Sequence, residues 1–219
     1  MPLHLVGELD LTKPISQSFC SNEVYNLTKA DKGLNPKQLL KLYELLNFAQ
    51  HAMQSPRMAH LKIELPSSRM SDIGKILATY EKKYRFDKPE AKPLYAVKYE
   101  ISPITKREHA HLYVIADSWG TPDFQGLVRD LEKTGVSGAE RSKNLKPVAL
   151  LGRSKKFVPE RGSSSYHRLN DEEADAFLRI SYISKLRTTS TLRTKAFSCS
   201  AIPKGFSVLA DIQPMALAA

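Results

Sequence analysis

Cysteine is nearly missing from this chain. Two in 219 residues, Cys20 and Cys199, are too few for a disulfide framework or a cysteine-rich metal site. They fit two unpaired thiols in a reducing cytoplasm. No apolar run approaches the roughly 20 residues that span a bilayer, so no membrane partner is expected. The opening stretch MPLHLVGELDL lacks a basic region followed by an apolar one, so no secretory signal is expected. No Gly-x-x-x-x-Gly-Lys-Ser/Thr motif occurs, which excludes a recognisable P-loop nucleotide hydrolase. Internal repeats and low-complexity tracts are missing too.

Acid is scarce where base is plentiful. The chain carries 33 Lys and Arg against 23 Asp and Glu, a formal surplus of +10. Between Arg141 and Arg168 eight bases face one acid, Glu160, and between Ala176 and Ala210 six bases face none. Two basic segments in one half of a chain fit a phosphate-binding surface. The residues expected to contact nucleic acid are Arg153, Lys155, Lys156, Arg161, Arg168, Arg179, Arg187, Arg193 and Lys195. A solvated basic face would carry the same composition. With 42% apolar and 26% charged residues, the rest reads as an ordinary globular protein.

Periodicity supplies the elements. Asn35 can cap a helix over 36–53, with Pro36 at its first position and Leu39, Leu42, Tyr43, Leu46 and Ala49 as its apolar stripe. HLKIEL (60–65) alternates like a strand. Ser71 can cap a helix whose stripe is Ile73, Ile76, Leu77 and Tyr80. LYAVKYEI (94–101) and HAHLYVIA (109–116) read as an antiparallel pair. Thr121, Pro122 and Asp123 start a helix that Gly135 ends, and 147–151 is a short fourth strand. Asn170, with Glu173 three residues on, opens a last helix to about Leu186. The order β-α-β-β-α-β is that of the split βαβ, ferredoxin-like arrangement. The expected class is therefore α+β: an antiparallel sheet with helices on one face and a C-terminal helix over the other.

His109 and His111 leave one face of the third strand, because side chains alternate across a strand. Ala110, Leu112 and Val114 leave the other. Two adjacent imidazoles suit a divalent cation. Tyr113 stands where a histidine-triad hydrolase needs a third histidine and a metallo-β-lactamase site needs an aspartate. Glu100, across the hairpin, shares a face with Lys98 away from the apolar Val97, Tyr99 and Ile101, and is the preferred third ligand; Glu108 is the competitor. One carboxylate with two imidazoles suits Mg²⁺ or Mn²⁺ acting as a Lewis acid on a phosphoryl oxygen. In the last helix Tyr182 and Lys185, at i and i+3, are surface neighbours. A phenol becomes a useful nucleophile when a cation stabilises its developing charge.

The His-x-His strand followed about 70 residues later by Tyr-x-x-Lys resembles the HUH endonuclease superfamily, in particular its rolling-circle replication initiators. REHAHLYVIADSW and SYISKLRTTSTLRTKAFSCS are similar to the replication proteins of filamentous (inovirus-type) phages and related prophages. The resemblance covers about residues 58–205, and implies an N-terminal helical extension over 1–57 and a C-terminal tail over 206–219. It implies His109 and His111 as metal ligands, Glu100 as the third, Tyr182 as nucleophile, and Lys185 as the lysine that holds the scissile phosphate or the tyrosine. Ala110 is smaller than the usual residue between the histidines. The family's first motif is not recognisable in HLKIELP. Tyr166 lies too far from Tyr182 to be a second tyrosine of the pair, which implies a single-tyrosine enzyme.

The resemblance further implies a site-specific nickase that forms a 5′-phosphotyrosine intermediate on single-stranded or hairpin origin DNA. It would act in the cytoplasm of a host cell, with host helicase and polymerase as partners. Phe157, Tyr166 and His167 lie among the basic residues and can stack on unpaired bases. Three alternatives remain: a relaxase or single-tyrosine transposase of the same superfamily, a non-catalytic DNA- or RNA-binding module, and a repressor on the same scaffold.

Overall fold

The computed structural model describes residues 14–15, 18–19, 22–24, 33–64, 93–117, 148–151, 166–186, 189, 191, 196–204 and 206. The helices expected over 71–80 and 121–135 lie outside these residues, as do Cys20, Phe157, Arg153, Lys155, Lys156, Arg161, Arg187, Arg193 and Lys195.

Asn35 caps α1 (Pro36–Ala52), its side chain accepting from the Gln38 amide at 3.1 Å, with Pro36 in the first turn. The stripe buries Leu39, Leu42, Tyr43, Leu45, Leu46 and Ala49. The helix ends where Met53 turns extended, and the amides of Gln54 and Ser55 then donate to the Asp117 carboxylate at 2.8 and 3.0 Å. That carboxylate satisfies two backbone donors at the turn into the sheet.

A two-stranded ribbon, β1 (Ser18–Phe19) with β2 (Asn22–Glu23), precedes α1. The main sheet contains β3 (Pro56–Glu64), β4 (Leu94–Ile101), β5 (Glu108–Asp117), β6 (Val148–Leu151), β7 (Tyr166–Arg168) and β8 (Phe197–Cys199), in the order β6-β3-β5-β4-β8. Every ladder is antiparallel. On the outer edge of β3, β6 pairs residues 60–63 and β7 pairs residues 57–59. The class is α+β. No helix of the described residues is long and apolar enough to cross a membrane.

The ladders sort the faces. Pro56, Met58, His60, Lys62 and Glu64 of β3 stand opposite Asp117, Ile115, Tyr113, His111 and His109 of β5. Leu94, Ala96, Lys98 and Glu100 of β4 stand opposite Ile115, Tyr113, His111 and His109. This face is therefore apolar towards Ile115 and polar towards His109. The reverse face carries Ala59, Leu61, Ile63, Ala110, Leu112, Val114 and Ala116, all buried.

α1 and α2 (Glu173–Ser181) both join the apolar end of the histidine face, in one core with Met58, Leu94, Ala96, Tyr113 and Ile115. Tyr43 meets Phe177 edge-on at 5.5 Å, tying the two helices together. Residues 36–52 share the sheet's core, and position 57/58 falls inside β3. The last helix packs on the histidine face, and α1 packs there with it. Phe206, placed in the tail, reaches α1 at Phe48, 5.2 Å between centroids.

α2 begins later and ends earlier than its capping pattern suggests. Asn170 turns its amide to the Gln54 carbonyl at 3.1 Å instead of capping. Glu172 stands at the N-cap with no side-chain cap bond. At the other end the Ser181 hydroxyl donates to the Leu178 carbonyl and the Ser184 hydroxyl to that of Ser181, at 2.8 and 2.6 Å. Such back-bonding to i−3 competes with α-helical geometry, and a 3₁₀ turn, Tyr182–Ser184, follows.

Candidate metal centre

The polar end of the face holds the site. Glu100 stands opposite His109 in the β4–β5 ladder, so a carboxylate and two imidazoles project together from adjacent strands. Their ligand atoms all lie within 4.8 Å of one another, and the group is buried. Glu100 Oε2 is 3.8 Å from Nε2 of both His109 and His111. Glu108, the competing carboxylate, sits opposite Ile101, one residue out of phase with the histidines, and is outside the group.

The 3₁₀ turn brings the phenol and the ammonium to the same carboxylate. Tyr182 donates its hydroxyl to Glu100 Oε2 at 3.4 Å, and its ring lies 4.8 Å from that of His111. Lys185 Nζ is 3.9 Å from Glu100 Oε2 and 3.7 Å from the centre of the Tyr182 ring. The i, i+3 spacing was argued for an α-helix. It also works in a 3₁₀ turn, where residues three apart eclipse.

The turn is held from behind. The Asn35 amide donates to the Ser184 carbonyl at 2.8 Å, and the Leu186 amide donates to the Gly33 carbonyl at 3.1 Å. Leu34 bridges Lys185 on one side and Ile15 on the other. Gly33 has φ +94°, and a Cβ there would fall 2.5 Å from Pro14 Cβ, so both backbone and space require glycine. Lys98, fully buried, donates to the Lys185 carbonyl at 2.7 Å and to Gln38 at 3.4 Å. Burial first, offset by Glu100, brings its pKa from 10.5 to about 8.

Burial also keeps the imidazoles neutral. His111 is pushed well below 6.5 by burial and then by His109, Lys185, Lys62 and Arg179. His109 is lowered by burial and Lys62, against the pull of Glu100 and Glu64. His60 is lowered well below 6.5 by burial, His111, Arg179 and His167. A neutral imidazole has a nitrogen lone pair for a cation. Glu100 Oε1 and His111 Nε2 are buried with no hydrogen-bond partner. Buried lone pairs left unsatisfied cost about 1–3 kcal/mol each. A divalent cation between them would satisfy both, and the donor set of one oxygen and two nitrogens fits such an ion.

All five residues read as catalytic or metal-binding thus converge. His60 was missed: its Nε2 lies 2.9 Å from Nδ1 of His111, and its ring stacks on Tyr113 at 4.1 Å. The alternation His60, Lys62, Glu64 was visible, but only the β3–β5 pairing brings it to the histidines. Lys98 was placed on the right face without a role. Of the basic residues, Arg168 is exposed on β7, whereas Arg179 is only 5% exposed. Arg179 lies on the inner side of α2 beside Ile180, and its charge acts on His60 and His111 instead of an outer surface. Tyr166 and His167, offered as base platforms, sit in β7, half-buried and buried. Arg57 lies over the Tyr166 ring at 4.7 Å.

No family model, curated protein or solved structure matches this chain.

Proposed function

We propose that the chain is a metal-dependent, site-specific single-strand DNA endonuclease that nicks an origin through Tyr182 to start rolling-circle replication. The observation that carries this reading is the meeting of Tyr182 and Lys185 with the Glu100–His109–His111 group at one buried carboxylate oxygen. The strand order, all antiparallel, supports a split βαβ arrangement for β3 to β6.

Glu100, His109 and His111 would hold Mg²⁺ or Mn²⁺, which supplies Lewis-acid polarisation of the scissile phosphate. The chain's own residues do the rest. Tyr182 Oη attacks phosphorus, the bond from phosphorus to the 3′ oxygen breaks, and the 3′-hydroxyl leaves. The product is a 5′-phosphotyrosine that keeps the phosphodiester energy, so attack by a 3′-hydroxyl rejoins the ends. Tyr182 donates its hydroxyl to Glu100 Oε2 at 3.4 Å, so that carboxylate takes the phenol proton, and the departing 3′ oxygen is protonated from solvent. Lys185 offsets the developing negative charge at the tyrosine or the phosphate. The basic segments hold the strand on either side of the cut. Tyr113 is fully buried, so it gives no exposed base platform of the kind an RNA-binding sheet needs.

Labelled, randomised single-stranded oligonucleotides incubated with the protein and Mn²⁺ test this on a denaturing gel. A covalent adduct is expected, and it disappears in Tyr182→Phe while DNA binding persists. An adduct that survives the substitution sinks the assignment.

A further inference from the structure

His111 can serve a cation through one ring nitrogen only. Its Nδ1 is 2.9 Å from Nε2 of His60, while its Nε2 faces Glu100 Oε2 at 3.8 Å. The proton in the His60–His111 hydrogen bond has two possible owners. On His60 Nε2, it leaves His111 with its own proton on Nε2, and no lone pair faces Glu100. On His111 Nδ1, it leaves Nε2 as a ligand atom.

Each arrangement leaves one buried ring N–H, on Nε2 of His111 in the first and on Nδ1 of His60 in the second. A cation beside Glu100 selects the second, because only that one leaves a lone pair on Nε2 of His111. His60 is 3% exposed, and its ring lies on Tyr113 with 11° between planes. Tyr113 is fixed in turn, its hydroxyl donating to the Arg179 carbonyl at 2.8 Å. The acceptor is thus held by a stack, and the stack by a backbone carbonyl of α2.

We propose that His60 is a positioning residue, accepting a hydrogen bond from Nδ1–H of His111 and thereby presenting Nε2 of His111 as a lone pair to a divalent cation beside Glu100. The proposal rests on reading Glu100, His109 and His111 as metal ligands. Outer partners of this kind orient ligating imidazoles, and their loss lowers metal affinity about 10–100-fold.

Two substitutions in the full chain separate this role from packing. His60→Gln keeps an acceptor oxygen near the Nε2 position. His60→Phe keeps a ring on Tyr113 but accepts nothing. Calorimetric titration with Mn²⁺ alone is expected to show a loss of about 10–100-fold in His60→Phe and near-native affinity in His60→Gln. Native affinity in His60→Phe, or equal losses in two folded variants, overturns the proposal. The second measurement needs no variant: long-range ¹⁵N–¹H correlation of the histidine rings with Mg²⁺ added. It is expected to place the His111 proton on Nδ1, and a proton on Nε2 overturns the proposal even if neither variant folds. A wild-type chain that ignores Mn²⁺ yet carries the proton on Nδ1 removes the metal reading and leaves the His60–His111 orientation standing.

Discussion

Lys98 is tightly constrained by its surroundings. Its ammonium is fully buried, facing the Lys185 carbonyl and Gln38, and its pKa falls from 10.5 to about 8. The folded chain therefore releases this proton earlier than the unfolded chain as pH rises. Between pH 8 and 10.5 the unfolded state binds the extra proton, so stability attributable to Lys98 rises with pH across that window. The slope is up to about 1.4 kcal/mol per pH unit. Urea unfolding of wild type and Lys98→Met at pH 8, 9 and 10 isolates the effect, since other titrations cancel in the difference. Parallel stabilities across that range would show that Lys98 is not held as described. The same residue shows what single-residue reasoning can reach. Alternation placed Lys98 and Glu100 on one face and His109 with His111 on another strand, and the hairpin brought them together. His60 escaped because its relevance depends on which strand β5 takes as its second neighbour, a tertiary fact with no local signal.

At the scale of elements, the strongest local patterns produced the expected segments. α1 has a side-chain cap, a first-turn proline and a continuous stripe, and β4 and β5 form where apolar runs adjoin a short alternating stretch. β7 and β8 span three residues each and exist because β3 and β4 offer them partners. β3 starts at Pro56, four residues before its alternation begins, because residues 56–59 pair with β5 and residues 57–59 pair with β7 as well. The capping pattern at Asn170 lost to a tertiary hydrogen bond with Gln54. The contact between α1 and α2 makes a sharp test. Phe177 is 1% exposed and packs against Tyr43, so Phe177→Ala is expected to cost about 3–5 kcal/mol. Chemical denaturation measures it. A loss below about 1 kcal/mol would mean the two helices do not share a core.

For the whole molecule, α1 decides where the folding unit begins. Leu39, Leu42, Leu45 and Leu46 are 1% exposed or less. Burying each is worth about 1.5–3 kcal/mol, against a typical domain stability of about 5–15 kcal/mol. A chain starting at residue 58 is therefore expected to lose cooperative thermal unfolding and Mn²⁺ binding together. A sharp melt with retained metal binding would support a division at 57/58. The surplus of +10 also belongs to this scale. If its basic segments hold a DNA strand, affinity falls steeply and linearly on a log–log plot against salt. A flat salt profile in filter binding would remove those segments from the interface.

The backbone bonds from Gly33 and Asn35 to the Tyr182–Leu186 segment have a kinetic meaning. Amide hydrogen bonds tie the segment to the strand-like stretch before α1, so Tyr182 is carried on a fixed post rather than a swinging arm. Opening that post means breaking the hydrogen bonds donated by the Asn35 and Leu186 amides, and the exchange of these amides would be slow, tracking loss of the α1 core rather than local fraying. If Tyr182 cuts and rejoins a strand as proposed, the travelling component is the nucleic acid, and the tyrosine stays where it stands.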